Sequence, residues 1–125
     1  MKILLVDDDL FLRDMYSTKF SSCGHEIETA ESSVKVISLL GRGNTYDVAL
    51  LDMIMPGTNG IELLNIMNKK FPNQVKYSIF LTNQGQDEDI REATEAGAVG
   101  YIIKADSVPS EVVKKVEEIV SKQKK

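Results

Sequence analysis

Two apolar runs in this chain end on carboxylates. Ile3-Leu4-Leu5-Val6 leads into Asp7, Asp8 and Asp9, and Val48-Ala49-Leu50-Leu51 leads into Asp52. A buried strand that stops at an acid puts it at the carboxyl edge of a sheet, where open α/β folds build their ligand sites. Like charges gathered there repel by about 4 kcal/mol per pair at ~4 Å and an effective dielectric near ~20. A hard, oxygen-seeking divalent cation relieves that repulsion, and incomplete protein coordination suits Mg²⁺. Asp8 and Asp52 are expected to give it carboxylate oxygens, Asp7 to act directly or through water, and a backbone carbonyl to join them. Asp9 is read instead as the cap of a helix that begins near Leu10.

Asp52 is the candidate nucleophile, because a carboxylate that attacks phosphorus forms an aspartyl phosphate. A cation beside it would screen the acids from an anionic donor and balance charge during phosphoryl transfer. Lys104 ends the run Val99-Gly100-Tyr101-Ile102-Ile103, and Thr82 ends Tyr77-Ser78-Ile79-Phe80-Leu81. An amine and a hydroxyl at strand ends can both bind a phosphoryl group. Taken singly, each has a plainer reading: Lys104 as a surface lysine with a buried stem, Thr82 as a β-former, Tyr101 as a packed aromatic. The set is informative where its members are not.

At 125 residues the chain fits one domain, spanning 1–125, with enough length to bury a core without disulfides. A formal charge of −4 and a pI near 5.0 disfavour nucleic acid as a direct partner, since phosphate backbones need a basic face. Cys23 is the only cysteine, no leader pattern opens the chain, and no apolar stretch approaches the ~18 residues of a membrane span. These features point to a soluble cytoplasmic protein without a membrane partner.

Apolar runs and helical periodicity alternate strictly, as in a parallel sheet with crossover helices. Strands are expected at Lys2–Val6, Glu26–Thr29, Val48–Leu51, Tyr77–Leu81 and Val99–Ile103. The first, third and fourth are continuously apolar and so central, whereas Glu26-Ile27-Glu28 alternates like an edge. Helices are expected at Phe11–Ser22, Ser32–Leu40, Gly60–Lys70, Asp87–Ala96 and Pro109–Lys122, with a frayed tail from about residue 122. Gly24 and Gly97 are placed as left-handed C-terminal caps, and Ser107 with Pro109 as the start of the last helix. Five such units favour an α/β, flavodoxin-like three-layer sandwich, with strand order 2-1-3-4-5 and five helices. In that order Asp7, Asp8, Asp52, Thr82 and Lys104 share one crevice.

VDDD after the first strand, LLDMIMPGTNG around Asp52, LTN at Thr82 and GAVGYIIK ending at Lys104 together resemble the receiver domain of bacterial two-component response regulators, single-domain type, over essentially the whole chain. The resemblance implies that Asp52 is the phosphoacceptor, with Asp7, Asp8, Asp52 and the Ile54 carbonyl as Mg²⁺ ligands. It implies Thr82 as the switch hydroxyl, Lys104 as the phosphoryl-binding amine, and Tyr101 as the aromatic that turns inward when Thr82 is drawn to phosphate. The expected donor is a sensor histidine kinase or phosphotransfer protein, and the expected reader a downstream effector protein or domain, reached through the face of the fourth helix, fifth strand and fifth helix. A phosphorylation-dependent dimer is also compatible. Beyond self-phosphotransfer and slow self-dephosphorylation, no enzyme activity is expected. The chain reads as a stand-alone receiver or as one domain of a longer protein.

Departures from the family pattern qualify this picture. Asn83 replaces a small residue beside the switch threonine, so its amide is expected to crowd the phosphoryl pocket or hydrogen-bond into it. Ala105 follows Lys104 where the family has a cis proline; a non-proline cis bond costs ~3–4 kcal/mol, so a different loop course is expected. Ile54 and Gln84 flank the attacking water in this family, and an apolar Ile54 predicts slow self-dephosphorylation. His25 is read as a solvated or capping residue rather than a rival phosphate carrier. The main competing reading is a pseudo-receiver that binds partners constitutively without phosphorylation. An aspartate-nucleophile phosphatase would want an acid at Ile54, and a flavin or dinucleotide site would want glycines where Asp7 to Asp9 stand.

Overall fold

A computed structural model describes residues 1–124. The chain runs β1 (Lys2–Val6), α1 (Leu10–Ser22), β2 (Glu26–Ala30), α2 (Ser33–Gly41), β3 (Tyr46–Leu51), α3 (Gly60–Lys70), β4 (Val75–Thr82), α4 (Asp87–Glu95), β5 (Gly100–Ile103), a 3-10 turn at Lys104–Asp106, and α5 (Pro109–Gln123). All pairings in the sheet are parallel and its order is β2-β1-β3-β4-β5, as expected from the alternation of elements. The three apolar strands are indeed the central ones, and β5 joins β2 as an edge.

Alternating side chains divide the core between two faces of the sheet. Leu4, Val6, Ala49, Leu51 and Phe80 pack with Leu39 and Leu40 of α2 and with Leu63, Leu64 and Met67 of α3. Ile3, Leu5, Val48, Leu50, Ile79 and Leu81 pack on the other side with Tyr16 and Phe20 of α1 and Val112, Val113 and Val116 of α5. Burial of a side chain of this size contributes about 1.5–3 kcal/mol, so these two layers hold the sheet edge rigid under its polar residues. The register pairs Val6 with Leu51 and Thr82 with Ile103, so residues just past these rungs are neighbours.

Local signals set most helix ends. Asp9 caps α1 by accepting from the Leu12 N–H at 3.1 Å, and Asn59 caps α3 by accepting from Glu62 N–H at 2.9 Å. Gly24 and Gly97 follow α1 and α4 with φ of 90° and 106°, a left-handed conformation that glycine adopts freely. Two expectations need correction, at Ser107 and His25. Ser107 does not cap α5; Val108 occupies that position, and the Glu111 carboxylate accepts its N–H at 3.3 Å while Ser107 Oγ accepts from Lys115. The last helix runs to Gln123, with Val116 and Val120 buried and residues 121–124 exposed; Lys125 lies outside the described residues. His25 is not solvated: its side chain is 9% exposed, with Nε2 2.8 Å from Glu117 and Nδ1 3.1 Å from the terminal ammonium of Met1.

Candidate functional site

β1, β3, β4 and β5 all deliver polar groups to the same end of the sheet. Lys104, which follows β5 directly, sends its amine back over the sheet edge with only 7% of the side chain exposed. Nζ donates to Asp7 Oδ2 at 2.5 Å and to Asp52 Oδ2 at 2.8 Å. The reading of Lys104 as a surface lysine is thereby excluded. Thr82, 1% exposed, donates its hydroxyl to the other Asp52 oxygen, Oδ1, at 2.8 Å. Oδ1 also accepts from the Ile54 N–H at 3.3 Å, which brings the main chain of residue 54 to the carboxylate.

The neighbouring groups hold these acids in place. Asp7 is buried and its Oδ1 accepts from the Asp9 N–H at 3.0 Å, while its own carbonyl accepts from Arg13 Nη1 at 2.8 Å. Asp8 is exposed and faces the opening. One oxygen from each of Asp7, Asp8 and Asp52 lies within 4.8 Å of the others. Hard carboxylate oxygens grouped this way, one of them open to solvent, fit a hydrated Mg²⁺ better than a soft metal. The Ile54 side chain stands 60% exposed beside them.

Charge in the crevice explains the state of the lysine. Burial alone would lower its pKa, but hydrogen bonds to Asp52 and Asp7 and their negative charges outweigh that effect and raise it above the ordinary lysine value. The ammonium thus takes part of the role that a metal would otherwise have, balancing two nearly buried carboxylates.

Behind Thr82, the Tyr101 ring is half-buried and stacks on Phe80 with ring centroids 5.9 Å apart. Its phenol donates to the Gln84 carbonyl at 2.6 Å. Burial, then the charges of Asp89 and Asp52, push the Tyr101 pKa up to about 12. Thr82 on the carboxylate and Tyr101 under the following loop therefore coexist in one arrangement.

The departures at 83 and 105 resolve together. The chain contains no cis peptide bond among the described residues, and Lys104 to Asp106 form a 3-10 turn instead. The Asn83 side chain bonds to the turn after Lys104, where its Oδ1 accepts the Ala105 N–H at 3.0 Å. Sequence reasoning missed two contributors, Arg13 and Gly60. Arg13 sits one turn into α1 after an acid triplet, which is a readable signal. Gly60 opens α3 against the site: a Cβ there would lie 2.2 Å from the Asp52 carbonyl oxygen, and only the Pro-Gly-Thr-Asn-Gly stretch hinted at such a close approach.

Comparison with known proteins agrees with this geometry. A family model described as the response regulator receiver domain matches residues 3–117. Transcriptional regulatory protein ResD of Bacillus subtilis (strain 168) is 34% identical over 119 residues, covering 95% of this chain and 48% of that protein. Response regulator SaeR of Staphylococcus aureus (strain USA300) is 32% identical over 123 residues, covering 98% and 52% respectively. The chain thus spans about half the length of these curated relatives. Among solved structures, a CheY-like response regulator receiver domain protein from Methanospirillum hungatei JF-1 is similar with a TM-score of 0.85 and 28% identity, over 98% of this chain and 95% of that one.

Proposed function

The chain belongs to the response regulator receiver domain family, and from that premise we propose that Asp52 accepts a phosphoryl group in a Mg²⁺-dependent reaction and that the modification resets a partner-binding face. The observation that carries this reading is the convergence on Asp52 of Thr82 and Lys104 from two other strand ends, with Asp7 sharing the lysine.

In the proposed step an Asp52 carboxylate oxygen attacks phosphorus. The bond from phosphorus to the donor's imidazole nitrogen, or to the oxygen of a small acyl phosphate, breaks and its electron pair leaves with the donor. The product is a mixed anhydride of Asp52, and hydrolysis of its new P–O bond by water returns the carboxylate and inorganic phosphate. Mg²⁺ held by Asp7, Asp8, Asp52 and the Ile54 carbonyl would neutralise charge on the incoming phosphoryl oxygens. Lys104 and Thr82 each already bond one Asp52 oxygen. When that oxygen takes up phosphorus, its donor is in place to bond the phosphoryl oxygens instead. Nearly two added negative charges change what these donors prefer to hold. Thr82 movement then alters the support under Tyr101 and the face formed by α4, β5 and α5.

A histidine kinase or phosphotransfer protein is the proposed donor, and an effector protein or domain the proposed reader. Exposed Leu10, Phe11, Ile54 and Val108 lie on the loops and first turns around the acid crevice, which supports a protein rather than a free ion as the visitor. No helix among the described residues is long and apolar enough to cross a membrane, in keeping with a proposed cytoplasmic location. The test is incubation with a small acyl phosphate across a Mg²⁺ titration, read by intact mass. Labelling of one site that rises with Mg²⁺ supports the proposal; no labelling at saturating Mg²⁺ and donor favours a constitutive pseudo-receiver.

A further inference from the structure

Thr82 and Lys104 act on the same carboxylate, yet the β4–β5 ladder ends one step short of both loops, at the rung Thr82–Ile103. Beyond that rung the two chains diverge, one into the loop before α4 and the other into the turn at Lys104–Asp106. A single side chain reconnects them. Asn83, the residue after Thr82, offers its Oδ1 to the N–H of Ala105, the residue after Lys104, at 3.0 Å across 22 positions. The amide oxygen stands in for the backbone carbonyl that a longer strand would have supplied, and so adds a side-chain rung to the sheet.

We propose that Asn83 is a positioning residue: its side-chain carbonyl, bound to the Ala105 N–H, locks the Thr82 loop to the Lys104 turn and so fixes the hydroxyl and the amine relative to each other on Asp52. Both halves of the clamp depend on the residue types at 83 and 105. A proline at 105 would have no N–H to give, and a small residue at 83 would have no acceptor of that reach. The two departures from the family pattern therefore compensate each other. A 3-10 turn is short and weakly held by its own hydrogen bonds, so an outside anchor on its second residue limits how far Lys104 can swing. The clamp also joins the two loops mechanically: a displacement of Thr82 toward a phosphoryl group is passed to the turn that carries the lysine.

This inference rests on the reading of Asp52 as phosphoacceptor, and the experiment separates the two. The rate of labelling by a small acyl phosphate in Mg²⁺ is measured for the unsubstituted chain, Asn83→Ala, Ala105→Pro and the double variant, together with amide hydrogen exchange at Ala105 where that N–H exists. Asn83 is exposed, so Asn83→Ala is expected to fold, with its melting midpoint lowered by no more than the loss of one net hydrogen bond allows. Loss of one net hydrogen bond predicts that Asn83→Ala slows labelling about two- to tenfold and speeds Ala105 exchange by a similar factor. Asn83→Asp, which keeps an acceptor oxygen at the same reach, should retain slow Ala105 exchange. In the Ala105→Pro background the Asn83→Ala substitution should have no further effect, because the donor is already gone. Unchanged labelling and exchange in Asn83→Ala, or equal losses from that substitution in both backgrounds, would overturn the clamp. If the unsubstituted chain takes no label, the phosphoacceptor reading fails, while Ala105 exchange still decides whether the clamp exists.

Discussion

The phenol of Tyr101 donates to the carbonyl of Gln84 at 2.6 Å, so the aromatic ring at the middle of β5 is tied to the loop that begins with Thr82. That loop reaches Asp52 through the Thr82 hydroxyl. The acid crevice and the β5 surface are therefore two ends of one short hydrogen-bonded path.

Burial and nearby charge set how Tyr101 is expected to titrate. Its pKa is pushed up to about 12, first by burial and then by Asp89 and Asp52. A folded-state value above the ordinary ~10 means that its contribution to stability is intact below that pH and is lost as pH rises through about 12. Ultraviolet absorbance of tyrosinate during an alkaline titration should contain a late component, shared with Tyr16 and Tyr46, that Tyr101→Phe diminishes. A titration curve with that component unchanged in the variant would contradict the assignment.

Lys104 gives the second prediction. Its raised folded pKa places its stabilising share below the unfolded lysine value of ~10.4, with loss as pH climbs through the higher folded value. Lys104→Met leaves Asp7 and Asp52 facing each other without a cation, a situation that costs about 3–5 kcal/mol. Urea denaturation near neutral pH should show that loss, and Mg²⁺ should stabilise the variant more than the unsubstituted chain. Equal Mg²⁺ effects on the two would mean that the lysine and the metal do not share the acid cluster.

On the proposed reading, Ile54 should set the lifetime of the aspartyl phosphate. An exposed apolar side chain beside Asp52 has no polar atom with which to orient an attacking water. Replacing Ile54→Gln should therefore hasten loss of phosphate severalfold after donor removal. Fast loss in the Ile54 protein, unaltered by that substitution, would refute the role given to the side chain.

Gly60 supplies a steric prediction. A methyl group there would meet the Asp52 carbonyl oxygen at 2.2 Å and Phe80 Cε1 at 2.7 Å, in a place where backbone cannot yield cheaply. Gly60→Ala should cost about 1–3 kcal/mol in denaturant unfolding despite the better helix propensity of alanine. A neutral or stabilising result would mean that α3 can slide away from the site.

The parts of this fold that were legible in the sequence are those governed by local pattern. Continuous apolar runs marked β1, β3 and β4 as central, and their last residues located Asp7, Asp52 and Thr82 at one edge. Asp9 was readable as a cap because its partner, Leu12, lies three residues on. What escaped depends on contacts distant in sequence. His25 loses solvent to Glu117, 92 positions away, which nothing beside it announces. β4 begins at Val75, two residues before the apolar run, because Tyr46 and Val75 pair at the far end of the sheet while Lys76 points outward beside Asp47. Asn83 and Ala105 looked like two separate departures until their 3.0 Å hydrogen bond made them one feature. Ser107 had the right chemistry for a cap, but the helix start one residue later let Glu111 serve the Val108 N–H instead.

The central claim is that the carboxylate held by Thr82 and Lys104 is the atom group that receives phosphorus. The most direct measurement is intact-mass analysis of the unsubstituted and Asp52→Asn chains after equal exposure to a small acyl phosphate and Mg²⁺, with circular dichroism confirming that both are folded. One phosphoryl group on the unsubstituted chain and none on Asp52→Asn is the predicted result. Equal incorporation into both would contradict it.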